Sequence, residues 1–484
     1  MSDTARKTVR NTALLSVFEV VNPLISLILI GTMSRRLGAE GLGAYNLLLT
    51  FFFVAHAFTS LGLNTLVTRQ VSRNPQDASH YLSSASALGL AVALATGVGV
   101  MAIIHLAGYE ASVRTSGWLV ALGLLPSIVI LQCESIFIAI EKIQYIVYVA
   151  VAENVGRTLV GLWLLKEGYG VSALVASFTL FRYIALVLNL AAFRFAVAPL
   201  AWRVDRSLTR ELVRHIPVFG GILVASTLYS RADVFLLSKM VTLGAVGYYT
   251  AAYRLFAIAQ VLPKSFNTSI YPVLSKLFLR SPEDYRKANG LAIRYILVVL
   301  LPIAAGIHGL AEPLVRILFG KDFGPAVPVL RVVIWTLVPY GIVRVLASGL
   351  FASNRQGTDL KVNMMGLATN ILLNLALIPR LGILGCAWAT FLSICLFLVY
   401  QCVYLRHEIL PVFRQAEILR PAFAASMISL WLFLTPGLPL AARIAGGAAA
   451  YGLLLAWLRV IRLRELKMVL PERFLAVLGM EMEP

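Results

Sequence analysis

The sequence predicts an all-α integral membrane protein of about fourteen transmembrane helices, and three observations carry that prediction. Charged residues make up 13% of the chain and apolar ones 59%, against about 25% and 45–50% in soluble globular proteins. Apolar runs that meet the need for about 20 residues per crossing recur from one end of the chain to the other. Lys and Arg gather on alternate connections between those runs, which is the positive-inside pattern.

Taken in order, the runs are residues 13–33, 43–66, 83–106, 117–140, 143–165, 171–193, 215–238, 247–270, 291–311, 332–351, 362–379, 383–405, 421–437 and 444–458. The first follows a basic start (Arg6, Lys7, Arg10) as a secretory signal would. Its apolar stretch is longer than a signal's and no A-x-A pattern closes it, so it reads as a retained span. The last run is the weakest, short and rich in Ala and Gly, and a twelve-span arrangement is the alternative. A tail with five Lys and Arg between residues 459 and 473 follows it.

The connection at 194–214 carries Arg194, Arg203, Arg206, Arg210 and Arg214 and divides the chain near its middle. Its second part, DRSLTRELVRH, is expected to form a surface helix. With the N-terminus inside, this connection and the tail are both cytoplasmic, as are both termini. The net charge of +19 belongs to that distribution and not to a nucleic-acid surface. No connection exceeds about twenty residues, too short for a soluble domain, so the chain's function resides among its helices. Cys133, Cys386, Cys395 and Cys402 fall within spans without metal or disulfide spacing and read as packing residues.

The two halves resemble each other. LGAEGLGAYNLLLTFFFVAHAF (37–58) overlies VTLGAVGYYTAAYRLFAIAQVL (241–262) at an offset of 204, bringing Gly43 onto Gly247 and Tyr45 onto Tyr249. Both copies join the first and second spans of their half, which predicts a parallel repeat of two six-helix bundles. The organisation expected is a first lobe at 1–193, a basic cytoplasmic linker at 194–214, a second lobe at 215–410, and two further helices with a basic tail at 411–484.

SRRLGAEGLGAYNLLLTF with SLGLNTLVTRQVSR in the first half, and RADVFLLSKMVTLGAVGYYTAAYRL with SIYPVLSKL in the second, resemble the two signatures of bacterial polysaccharide flippases of the Wzx type. These belong to the multidrug, oligosaccharidyl-lipid and polysaccharide exporter superfamily. The similarity covers about the first twelve spans. It implies two six-helix lobes around a central cavity, and translocation of undecaprenyl-pyrophosphate-linked oligosaccharide from the inner to the outer leaflet of the bacterial plasma membrane. Such a chain is a carrier and not an enzyme, with membrane lipids around it and polysaccharide polymerase machinery as a further partner. Within the superfamily, a peptidoglycan-precursor flippase or a cation-coupled multidrug antiporter is the alternative. A membrane glycan polymerase is a more distant one, disfavoured by short outer connections.

Ionisable groups inside spans face the bundle interior, pair, or line a wet path, because each costs several kcal/mol in hydrocarbon. Here they are Arg157, Arg182, Arg231, Arg254, Lys264, Arg294 and Arg344 against Glu19, Glu134, Glu153 and Asp233, a cationic excess unsuited to organic cations. Lys264, Arg294 and Arg344 lie near span ends and are expected to snorkel. Glu153 and Arg157 are spaced for a pair within one helix. Arg182, Arg231 and Arg254 are deep. Their guanidinium forks suit a pyrophosphate, and pairing with Glu19, Glu134 and Asp233 is the competing outcome. Glu19, one turn before Pro23, joins Glu153 and Asp233 as a candidate for proton coupling. Similarity to the peptidoglycan-precursor flippases also implies a sodium site at Asp233, Asn370, Asn374 and Thr390, with Asn where a second carboxylate can stand. No other cofactor is expected, and no nucleotide-binding motif occurs.

Overall fold

A computed structural model describes residues 3–200, 202–353, 355–405, 419–458 and 460. Among these the chain is helical throughout: α1 (Asp3–Ser60), α2 (Leu63–Arg73), α3 (Ala78–Leu106), α4 (Ala111–Ala139), α5 (Gln144–Lys166), α6 (Val171–Ala196), α7 (Arg206–Met240), α8 (Leu243–Ala259), α9 (Val261–Arg280), α10 (Pro282–Gly309), α11 (Ala311–Phe319), α12 (Ala326–Val333), α13 (Leu337–Ala352), α14 (Gln356–Leu381), α15 (Ile383–Tyr404), α16 (Leu419–Leu434) and α17 (Leu440–Trp457). The chain forms two compact units, Met1–Thr250 and Ala251–Pro484, and the division falls within α8.

Nine of the described helical segments are long and apolar enough to cross a membrane, and all fourteen expected spans fall on helix. The difference has physical causes. α1 holds two crossings that abut at Gly38, whose φ of 66° and ψ of −168° break the helix, a conformation only glycine adopts without strain. α5 carries Glu153, Arg157 and Lys166 along its length, and α8 and α16 are short. The segment 34–42, expected as a connection, is therefore helix on both sides of one glycine.

In the first unit, α2 shows how sequence fixes packing. Its Leu63, Leu66, Val67 and Val71 are buried, a helical stripe that joins Leu82, Cys133, Phe137, Phe193 and Leu212 in one apolar cluster. The basic linker is tied to the same end of the unit. Ser79 Oγ donates to the Pro199 carbonyl (2.9 Å), Ser83 Oγ to the Arg203 carbonyl (2.8 Å), and the Asp205 amide to Ser84 Oγ (3.0 Å). Asp205 then caps α7, accepting from the amides of Ser207 (2.7 Å) and Leu208 (3.3 Å). No separate surface helix forms at 205–215. The capped segment is the start of a 35-residue helix, about 52 Å at 1.5 Å per residue, which continues through Pro217, Gly220 and Gly221.

The repeat read from the sequence has a physical counterpart at the opposite end. A Cβ built on Gly43 would lie 1.8 Å from the Leu243 carbonyl oxygen, and one built on Gly247 would lie 1.9 Å from the Ala39 carbonyl oxygen. Ala39 and Leu243 are themselves 204 apart, so each half places its glycine on the other half's backbone at the corresponding position. Only glycine permits that approach.

In the second unit, α10 packs with α9, α13 and α16, and α14 packs with α15. Tyr451 Oη donates to the Val298 carbonyl (2.7 Å), fastening α17 to α10. Arg294, expected to snorkel, is only 3% exposed and donates to the Val460 carbonyl. Its fork holds the segment after α17 in place of reaching lipid head groups. Lys264 is exposed and Arg344 half-buried. Cys133 and Cys386 are buried and Cys395 and Cys402 half-buried, all as free thiols.

Candidate functional site

The intramembrane charges of the first unit sort into two arrangements that sequence spacing does not distinguish. Arg182 on α6 donates through Nη1 to both carboxylate oxygens of Glu153 on α5, at 3.0 and 3.1 Å, and through Nε to Ser127 Oγ on α4 at 2.9 Å. The two side chains are 19% and 12% exposed. They form a largely buried ion pair. The pair expected within α5, Glu153 with Arg157, is therefore not made. Helix packing brings the α6 guanidinium to the carboxylate from across the interface, with Ser127 accepting a further donor. Arg182 is thus committed to a carboxylate and a hydroxyl.

Among the described residues Arg157 meets neutral partners. Its Nη2 donates to Asn154 Oδ1 at 2.8 Å, and its guanidinium carbon lies 5.4 Å from the centre of the Phe178 ring. Its Nε is buried with no hydrogen-bond partner. Asn154 in turn donates to the Asn22 carbonyl at 3.1 Å and to Asn22 Oδ1, and Ser26 Oγ lies 3.4 Å from Asn154 Oδ1. An amide ladder thus runs from α1 to Arg157, which makes no ion pair with a carboxylate among the described side chains. It forms beside Pro23, where the α1 backbone lacks one of its own donors. Sequence reasoning missed Asn22 and Asn154 as positioning residues. The available signal was two Asn in otherwise apolar runs, where an amide demands a partner.

Arg231 and Asp233, two residues apart on α7, leave the helix on different sides, as the roughly 200° between such positions requires. The Arg231 guanidinium lies 4.6 Å from the centre of the Phe53 ring, a cation–π contact. Asp233, 6% exposed, accepts from Tyr249 Oη at 2.8 Å, and Tyr249 is the repeat partner of Tyr45. Glu134, a candidate partner for the deep arginines, lines a separate cavity of about 410 Å³ with Asn64, Thr65, Thr68 and Arg69. The side chain of Glu19 lies outside the described residues.

The second unit holds Arg254, half-buried on α8, and most of the expected sodium set. Asn374 donates to the Asn370 carbonyl (2.9 Å) and to Asn370 Oδ1 (3.1 Å), and Asn370 donates to Ser393 Oγ (3.2 Å). Thr390 lies one turn before Ser393 and donates to the Cys386 carbonyl at 3.0 Å. The helical i,i+4 spacing sets the two Asn on one face of α14, and α15 supplies the hydroxyls opposite.

Comparison with known proteins adds the family. A profile described as polysaccharide biosynthesis protein matches residues 8–278. A probable low-salt glycan biosynthesis flippase of Haloferax volcanii is 24% identical over 396 residues, covering 80% of each chain. Among solved structures, the lipid II flippase MurJ in an inward closed conformation superposes with a TM-score of 0.76 at 16% identity, over 92% of this chain and 99% of that one. An inward-facing multidrug transporter of the MATE family superposes with a TM-score of 0.67 at 15% identity, over 83% and 99%. With over half its length matched by the profile, the chain belongs to the polysaccharide biosynthesis protein family, and it shares its fold with these carriers.

Proposed function

We propose that the chain moves a polyprenyl-pyrophosphate-linked oligosaccharide, undecaprenyl in the bacterial form, from the cytoplasmic to the outer leaflet of the plasma membrane by alternating access. The observation that carries this reading is Arg157: a guanidinium among helices, steadied by Asn154 and Phe178, with a buried Nε that has no hydrogen-bond partner among the described residues. A cation in that state gains most from an anionic ligand with several acceptor oxygens, and a pyrophosphate answers that description. Arg231 and Arg254 are the further cations assigned to the head group, and Arg182 ties α4, α5 and α6 together. The chain's kinship with a glycan biosynthesis flippase and a lipid II flippase supports the glycolipid class.

A coupling ion supplies direction. Asp233, Asn370, Asn374 and Thr390 are the oxygen ligands assigned to sodium, a donor set that suits a hard cation. Protonation of Asp233, Glu153 or Glu19 is the other route. Both termini are assigned to the cytoplasm, and the polymerase that extends the glycan is the partner outside.

The test is transfer of a fluorescent undecaprenyl-pyrophosphate glycan across liposomes. Arg157→Gln is expected to abolish transfer, and Arg157→Lys to restore part of it, since lysine returns the charge without the fork. Full transfer by the Gln variant would remove the head-group role given to Arg157.

A further inference from the structure

The proposed function places a pyrophosphate among the helices but leaves open where the flipped molecule sits afterwards. Two cavities in the first unit, at the end opposite the basic linker, bear on this. One, of about 850 Å³, is mixed in character, with the polar groups of Glu40, Glu110, Ser112, Tyr169, Ser172 and Lys239 set among apolar ones such as Leu48 and Val113. The second, of about 530 Å³, is apolar and runs between α1, α3 and α7 past Phe51, Phe58, Ile103, Leu228 and Phe235. Tyr109 and Lys239 line both.

The boundary between them is built. The Lys239 ammonium lies 3.5 Å from the centre of the Tyr109 ring and donates to the Ala107 carbonyl. Tyr109 is fixed in turn by a 2.8 Å hydrogen bond between its hydroxyl and Ser238, and by an edge contact with Phe51 at 5.9 Å. One of the three ammonium donors remains for a ligand, and no carboxylate among the described residues lies within 4.0 Å of the charge. In the larger cavity, Glu40 and Glu110 make no ion pair and offer paired acceptor oxygens to hydroxyl groups. The Tyr169 ring is 51% exposed and rests against Trp163 at 6.3 Å, a ready platform for the C–H face of a sugar. On the apolar side, Leu228 to Lys239 spans about 16 Å of α7 at 1.5 Å per residue, roughly one leaflet of a 30 Å hydrocarbon core.

Apolar slot, single cation and mixed chamber follow one another in the order of tail, phosphate and sugar. We propose that these two cavities form one binding site for a prenyl-pyrophosphoryl glycan in the outer leaflet, with the chain in the α1–α3–α7 slot, a phosphate on Lys239 and the proximal sugars between Tyr169 and the two glutamates. The assignment rests on the flippase reading and on the orientation given by the basic linker. It adds a station for the product, outside the helix interior that holds Arg157. An anionic phospholipid shares the tail and phosphate chemistry, but its small head group would leave most of the 850 Å³ chamber unfilled, a volume within the roughly 300–1,000 Å³ range of sites that enclose whole ligands.

The experiment is photolabelling of the full-length protein in nanodiscs with benzophenone-tagged farnesyl pyrophosphate, with and without a linked N-acetylglucosamine, each in competition with phosphatidylglycerol. Labelled peptides are expected from residues 96–107 and 228–239. Lys239→Gln is expected to lower labelling by both probes about tenfold, the worth of one charge-assisted hydrogen bond, and Lys239→Arg to keep it. Tyr169→Ala and Glu110→Gln are expected to lower labelling only by the sugar-bearing probe. Labelling unaffected by Lys239→Gln, or displaced as readily by phosphatidylglycerol as by the unlabelled glycolipid, would overturn the site. Liposome transfer by the same preparations separates the two readings. Transfer without labelling of this slot removes the site and leaves the flippase, whereas labelling without transfer leaves the site and removes the flippase.

Discussion

At the scale of single residues, the contrast between Arg182 and Arg157 decides what each does. Removing one member of a largely buried ion pair strands the other, at a cost of about 3–5 kcal/mol, whereas replacing both with apolar groups of similar volume is often neutral. Arg182→Met and Glu153→Leu alone are therefore expected to lower the unfolding temperature in detergent sharply, and the double variant to recover most of the loss. Additive losses in that cycle would mean the two groups are not coupled. Arg157→Gln is expected to leave the unfolding temperature nearly unchanged, since among the described residues it gives up one hydrogen bond to Asn154 and no ion pair. A fall as deep as that for Arg182→Met would make Arg157 structural. The sequence showed that both arginines were in the membrane. It could not show which would take Glu153, because the intrahelical spacing to Arg157 is favourable and the interhelical geometry to Arg182 exists only after α5 and α6 pack.

At the scale of elements, backbone approach and capping carry the predictions. Gly43→Ala and Gly247→Ala would each force a methyl group onto a carbonyl oxygen less than 2 Å away, and overpacking of this kind typically costs about 1–3 kcal/mol. Gly99, on α3 with open space around its Cβ direction, is the control. Gly99→Ala should be neutral or slightly stabilising in the same thermal measurement, and equal effects at all three positions would deny the crossing its tightness. At the other end of the unit, hydrogen bonds from Ser207 and Leu208 hold the Asp205 carboxyl below its usual range. A folded-state value that is lowered gives stability present above the unfolded value of about 3.9 and lost as pH falls through the folded one. Amide protection in the first turn of α7 is thus expected to drop as the medium is acidified below about pH 4, and Asp205→Asn to remove that dependence. The start of α7 also marks where local signals misled. Arg and Glu in 206–214 look like a surface segment, yet helix propensity with a cap at Asp205 carries them directly into the crossing helix.

At the scale of the whole molecule, the orientation proposed from charge is open to direct measurement. Cysteines introduced at Arg203 and Tyr169, in a chain whose own four cysteines are replaced, are expected to react with an impermeant maleimide from the cytoplasmic and the outer side respectively. Reaction of both from one side would break the assignment on which the outer-leaflet site depends. The sequence by itself determined the membrane class and the helical fold. These follow from composition and from the period and length of apolar runs. What only the tertiary structure decided is who meets whom: Glu153 with Arg182, Asn22 with Asn154, Arg294 with the Val460 carbonyl, and Lys239 poised between an oily slot and a mixed chamber. The physical reason is that hydrocarbon compels every polar group to find a partner without saying which, and that choice belongs to the packing of helices distant in the chain.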